Sequence, residues 1–140
     1  MKIGIDFDGT LEFPKMQEIV KKLKYNGHDL YLITYRYDDE NLIIQNMHNL
    51  YNNNYLYELC NKVGIERKNI IFTNYKMKHS FITKYNIELH YDDDFLMVKD
   101  IINNSNNCDV VLFSNEQMIT FLSNGTYMQY EKYNDIKHLY

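Results

Sequence analysis

Two carboxylates, Asp6 and Asp8, flank Phe7 at the end of an apolar run and are followed at once by Gly9 and Thr10. In an extended segment residues i and i+2 point the same way, so both carboxylates can face one site. Gly9 permits a sharp exit from the strand that leaves backbone N–H groups free for a phosphate. Such a pair can bind a metal ion or divide the roles of nucleophile and acid. Taken alone, an Asp-x-Asp at a strand end is a metal or turn motif about as often as a catalytic one.

Three further groups stand at comparable places. Thr34 ends the apolar run 30–34 (LYLIT), with Arg36 two positions on; Lys78 precedes a short helical pattern; and Asp92, Asp93 and Asp94 end the run 87–91 (IELHY). Read singly, each has a plain structural explanation. Thr34 is a strand-end hydroxyl, Lys78 a solvated lysine at a helix start and the acidic triplet a helix N-terminus, with Asp94 as its cap. Arg36 is equally readable as a surface arginine or as a contact to a second anionic or polar part of a ligand. The five histidines show no ligand spacing, and His90 lies inside a strand pattern, where packing is the expected role. Tyr25, Tyr51 and Tyr55 fall on helical faces and read as core or boundary packing rather than as a base-stacking platform.

The elements that must position these residues are legible from periodicity. Residues 2–8 (KIGIDFD) read as a buried strand emerging at a loop. Pro14 suits a helix start; Met16, Ile19, Val20 and Leu23 form one apolar stripe, and Asn26-Gly27 closes it. Residues 30–34 form a second strand, and Asp38, Asp39 and Glu40 favour the helix start that follows. The pattern from 39 to 63 is helical, ending at Gly64, with Asn52-Asn53-Asn54 as a place to split it. Strands are predicted over 69–73, 87–91 and 109–113, with helices over 79–85 and 95–103. Residues 115–133 are the least readable, and 133–140 (YNDIKHLY) suggest a closing helix. The alternation implies an α/β, three-layer Rossmann-like domain with a mainly parallel five-stranded sheet, helices on both faces and ligands at the carboxyl ends of the strands.

Bulk composition agrees with one domain over 1–140. The chain has 140 residues, 45% hydrophobic and 24% charged, with one Pro and five Gly, as expected of an ordinary globular domain with a single core. A net charge of −4 does not point to nucleic acid or an anionic membrane as partner. Cys60 and Cys108 match no zinc or redox spacing and read as reduced, partly buried thiols. No charged-then-apolar leader opens the chain and no apolar run approaches the ~20 residues of a membrane span, so the expected location is cytoplasmic.

With these residues in view, MKIGIDFDGTL closely resembles the first motif of the haloacid dehalogenase superfamily of phosphohydrolases. That family also expects a Thr or Ser at the end of the second strand, a Lys before the fourth and an acidic pair after it, and Thr34, Lys78 and Asp92-Asp93 stand in those places. The resemblance implies that Asp6 attacks phosphorus to form an aspartyl-phosphate and that Asp8 serves as acid and then base. It implies a Mg²⁺ held by Asp6, the backbone carbonyl of Asp8 and Asp93, with Asp92 the next acidic contributor. Thr34 and Lys78 would meet the phosphoryl oxygens, and Gly9, Thr10 and Arg36 would line the substrate. Lys76 competes with Lys78, whose fourteen-residue spacing to Asp92 fits the family better.

Only 23 residues separate Thr10 from Thr34, and the 43 between Thr34 and Lys78 are taken up by helix and strand, which resembles a member without a substantial cap. An open site implies a substrate that covers it, a neighbouring subunit acting as lid in a homo-oligomer, or a small ligand held by loops. LITYR and KHSFITKYNIELHYDDD are similar to segments of deoxyribonucleotidase-like members, and DVVLFSN and YEKYNDIKHLY to their closing strand and helix. The expected partner is therefore a phosphorylated small molecule, handled by a nucleotidase-like phosphomonoesterase. The alternatives are a polynucleotide 3′-phosphatase, a sugar-phosphate phosphatase, a protein phosphatase, or a non-catalytic phosphate- and metal-binding module on the same fold.

Overall fold

The structure, a computed structural model, describes residues 1–123 and 128–132. The suggested closing helix over 133–140 lies outside the described residues. The elements run β1 (Lys2–Ile5), α1 (Pro14–Tyr25), β2 (Asp29–Thr34), α2 (Asp39–Ile44), α3 (Asn54–Val63), β3 (Ile70–Phe72), α4 (His79–Lys84), β4 (Leu89–Asp92), α5 (Phe95–Asn104), β5 (Asp109–Phe113), β6 (Gln117–Phe121) and β7 (Met128–Lys132). They form a seven-stranded sheet in the order β3-β2-β1-β4-β5-β6-β7. The five strands expected from the sequence are all present and mutually parallel; β6 and β7 add two antiparallel strands at one edge. The five-strand count is thus corrected. The missed strands fall in the stretch with no clear pattern, where β6 carries one fully buried residue, Met118, among partly exposed neighbours.

Strand alternation sorts side chains onto two faces. Ile3 and Ile5 of β1 and Leu30 and Leu32 of β2 pack with the stripes of α1 and α3, while Ile33 of β2 and Val110 of β5 pack with Ile82 of α4 and Val98 and Ile101 of α5. Helices therefore cover both faces. Burying each such aliphatic side chain contributes roughly 1.5–3 kcal/mol, which is ample reason for the register. Pro14 opens α1, as its fixed φ favours, and Met16, Ile19, Val20 and Leu23 are its buried stripe.

The long helical pattern from 39 to 63 is interrupted. α2 begins where the Asp38 side chain accepts the Asn41 N–H at 2.8 Å, and it stops before Asn46, whose φ is 56°. α3 starts only at Asn54. Asn53 spends its side-chain amide on Tyr37 O and Asp39 Oδ1, at 3.1 and 2.9 Å, hydrogen bonds that compete with helix continuation. Segment 45–53 therefore runs without regular helix.

Chain order places the site. From β1 the chain steps to β2 and β3 on one side, then crosses to β4 on the other, so the switch point falls between the carboxyl ends of β1 and β4. Gly4 and His90 are direct partners in that pair. A Cβ on Gly4 would lie 2.6 Å from His90 Nδ1 and 3.0 Å from Ile33 Cδ1, so glycine makes room for the imidazole under the site. Gly4→Ala is expected to cost about 1–3 kcal/mol through overpacking. Urea unfolding measures it, and an unchanged midpoint would mean that the ring yields at no cost.

Candidate functional site

At the carboxyl edge, Asp6 follows β1 and its N–H still bonds Tyr91 O of the neighbouring strand at 2.9 Å. The chain then turns through 7–11. Gly9 takes φ +74°, and a Cβ there would lie 2.2 Å from Asp93 Oδ2, so glycine is required both by conformation and by the closeness of the acidic loop. Its N–H is not open to a ligand as expected: it donates to Glu12 Oε1 at 2.9 Å.

Lys78 is the centre of the arrangement. It is 1% exposed, and its Nζ donates at 2.7 Å to Asp6 Oδ1 and at 2.7 Å to Asp92 Oδ2. Lys76 is exposed, so the structure brings Lys78 to the carboxylates. Thr10 is buried with its Oγ1 at 3.2 Å from Asp6 Oδ2 and 3.3 Å from Asp93 Oδ1, its one proton serving either. Carboxylate oxygens of Asp6, Asp92 and Asp93 lie within 4.8 Å of one another. These residues surround a cleft of about 350 Å³ that also touches Asp8 and Tyr35.

His90, expected to be packing, belongs to the site's support. Residues 90 and 92 share a face of β4, and His90 Nε2 lies 2.9 Å from Asp92 Oδ2. Burial pushes the imidazole's pKa down, more than the Asp92 hydrogen bond raises it. An ionised Asp92 can only accept, so the neutral ring donates through Nε2–H. Asp92 Oδ1 also accepts the Asp94 N–H at 3.1 Å. Its i, i+2 spacing from Asp92 was the available signal.

The charges are strongly interdependent. Burial alone would raise the Asp92 carboxyl, but Lys78 and His90 overcome it and hold it well below the usual carboxylate range. Burial pushes Asp6 well above that range, opposed by Lys78 and reinforced by Asp92. Asp93 is raised in the same direction by burial. For Lys78, burial acts against the charge, and the two carboxylates more than restore it. One ammonium among three carboxylates leaves the cluster short of positive charge.

Asp8 stands apart from that cluster. Its side chain is half exposed and is gripped by Arg36, with Nε donating to Oδ2 at 2.8 Å and Nη2 to Oδ1 at 2.7 Å. Arg36 also lies 4.9 Å above the Phe7 ring and within 3.4 Å of Asn53 Oδ1. It is a contact of the site rather than a free surface arginine. Thr34 is buried at the end of β2, where its Oγ1 accepts the Arg36 N–H at 3.3 Å, using a lone pair and not its proton. Asp94 caps α5, accepting the Leu96 N–H at 2.9 Å. Of the tyrosines read as packing, Tyr55 meets Phe7 edge-on at 6.0 Å, whereas Tyr25 is 91% exposed and Tyr51 lies in the loop before α3, facing a cleft. Cys60 and Cys108 are free and buried, and burial pushes both thiols up to about 12. Among the described residues no helix is long and apolar enough to cross a membrane.

No protein-family model matches the chain, and no curated protein matches it either. The site therefore stands on its own geometry.

Lys78→Met isolates the ammonium's contribution. Removing one member of a buried ion cluster costs about 3–5 kcal/mol near neutral pH. In the variant Lys78 no longer opposes the burial of Asp6, which then holds its proton still more tightly folded than unfolded, and the folded form gains relative stability as pH falls. The deficit against the parent should shrink between about pH 7 and pH 5 in chelator-containing buffer. Urea midpoints at both pH values test this, and a constant deficit would show that Lys78 does not neutralise the pair.

Proposed function

We propose that the chain is a Mg²⁺-dependent phosphohydrolase of the haloacid dehalogenase type, cleaving phosphomonoesters through an aspartyl-phosphate on Asp6, with a nucleotidase-like substrate preference. The observation that carries the reading is the buried Lys78 ammonium, 2.7 Å from both Asp6 and Asp92, with Asp93 beside them. A structural salt bridge has no need of a third carboxylate at the mouth of an open cleft. A phosphoryl site does, because it must hold a hard cation and an anionic ester together.

The donor set fits Mg²⁺. It is oxygen-only, and burial together with the Asp92 charge raises Asp6 despite Lys78, so a further cation would be welcome there. Asp6 and Asp93 would hold the ion together with the backbone carbonyl of Asp8, since Asp92 already spends its oxygens on Lys78, His90 and Asp94 N–H. Bound there, the ion would keep Asp6 ionised and offset repulsion between the carboxylates and the ester.

The chain's own residues then divide the work. A carboxylate oxygen of Asp6 attacks phosphorus; the bond from phosphorus to the ester oxygen breaks, and a proton from Asp8 goes to the departing oxygen. In the second step water attacks the phosphorus of the aspartyl-phosphate, Asp8 takes the water's proton, and the bond to Asp6 breaks to release phosphate. Lys78 places a fixed positive charge beside both nucleophile and phosphoryl oxygens, and the hydroxyl proton of Thr34 is a further donor. For Asp8 to reach the bridging oxygen its side chain must leave the Arg36 fork, and its half-exposed position at the rim permits that rotation. Arg36 is then free to meet the ester.

p-Nitrophenyl phosphate tests the reading. Turnover should require Mg²⁺, vanish with chelator, and fall by roughly 10³-fold or more in Asp6→Asn. Asp8→Asn should accumulate phosphorylated chain, detectable by intact mass, with hydrolysis slowed about 10²- to 10⁴-fold. No metal-dependent turnover on this ester or on nucleotides, sugar phosphates and 3′-phosphorylated DNA would leave a binding module in its place.

A further inference from the structure

A second cleft, of about 500 Å³, opens on the other side of Asp8. Asp8 lines both this cleft and the acidic one, Arg36 stands beside it in the larger cleft, and Tyr37, Leu42, Met47 and Tyr51 line the far side. The far wall is the 37–53 segment, held against the site by Asn53, which is 2% exposed and bonds Tyr37 O, Asp39 Oδ1 and Arg36. No substantial cap is expected from the sequence, and this short segment supplies one wall of the cleft.

The remaining wall is Tyr75. It follows Asn74 in the loop after β3, and the two residues have φ of 64° and 55°. Consecutive left-handed residues are uncommon, and an aromatic side chain there bears a steric cost that glycine would not. The turn itself is held by backbone bonds: Tyr75 N–H to Tyr35 O at 2.8 Å and Asn74 N–H to Arg36 O at 3.1 Å. Neither bond needs a tyrosine. What the side chain adds is an aromatic wall, its ring 4.5 Å from that of Tyr37 and 4.8 Å from that of Tyr35, still 49% exposed toward the cleft. Strain kept at such a place points to a ligand rather than to the fold. The same loop delivers Lys78 three residues later.

We infer that this cleft is the leaving-group subsite, that it takes a flat aromatic or heteroaromatic group carried by the phosphomonoester, and that Tyr75 is its specificity-determining contact. The inference rests on the phosphomonoester reading above and deepens it. A phosphoryl group beside Lys78 and a ring beside Tyr75 place the bridging oxygen at Asp8, which lines both clefts and is the acid of the proposed step. The volume suits one nucleoside-sized group, and the aromatic and aliphatic lining with a few amides is that of a small-molecule site. A large polymer is not needed to close it.

Aryl esters also have better leaving groups, so turnover alone would confuse chemistry with recognition; binding of non-hydrolysed phosphonates separates them. Calorimetry on the full chain with Mg²⁺ should give benzylphosphonate about tenfold tighter binding than ethylphosphonate, the effect of one stacked ring. Tyr75→Gly, which relieves the backbone, and Tyr51→Ala should each erode that ratio and leave ethylphosphonate unchanged. Equal affinities in the parent, or a preference that survives both substitutions, would overturn the subsite while Asp6-dependent turnover still upheld the phosphohydrolase. Failure of either phosphonate to bind, with no turnover, would remove both.

Discussion

The buried ammonium of Lys78 is the constraint around which the rest of the molecule is arranged. A charge taken out of water is tolerated only when paired and hydrogen-bonded, and here two carboxylates 2.7 Å away satisfy it. Each partner is itself fixed. Asp6 extends the β1 ladder through Tyr91 O, and Asp92 is held by His90 and by the Asp94 N–H. Below them, Gly4 leaves the space that the His90 ring fills. The chain of dependence therefore runs from a missing methyl group in a central strand to the orientation of a carboxylate at the sheet's edge.

A third carboxylate, that of Asp93, leaves this cluster short of positive charge. Lys78 compensates only part of the negative charge, and burial makes the remainder expensive, which is why Asp6 is pushed up while Asp92 is pulled down. Two acids a few ångströms apart thus have opposite electrostatic surroundings. Asp92 is the settled member, and Asp6 is the one whose state depends on what else enters the cleft. Gly9 serves the same end, since any side chain there would displace Asp93 from the group.

Asp8 shows how the second acidic residue of the same short motif is kept separate. Although alternation points it toward the same edge as Asp6, the turn after β1 hands it to Arg36 at the rim, between two clefts. The two carboxylates thus differ in environment: one is buried against an ammonium, the other half exposed against a guanidinium. The Asn53-anchored segment and the strained Tyr75 turn complete the rim, and both come from loops that the sheet brings to the same edge.

Periodicity was enough to locate the five parallel strands, the stripe of α1 and the cap at Asp94, because these depend on local backbone geometry and on burial patterns a few residues long, whereas Asp6, Thr34, Lys78, Asp92 and Asp93 were singled out together only by their resemblance to a family's motifs. Local patterns marked the break between α2 and α3 at Asn52-Asn53-Asn54 but not its extent, which an asparagine side chain bonding partners fourteen and sixteen positions away helps to set, and they were not enough for β6 and β7, whose burial pattern is weak. Tertiary structure alone decided that Lys78 rather than Lys76 is buried, that Arg36 grips Asp8 across 28 residues of sequence, that His90 supports Asp92, and that Tyr75 walls a cleft. Those outcomes are choices among distant partners, and only the packed sheet, by setting which loops share an edge, makes one choice cheaper than the others.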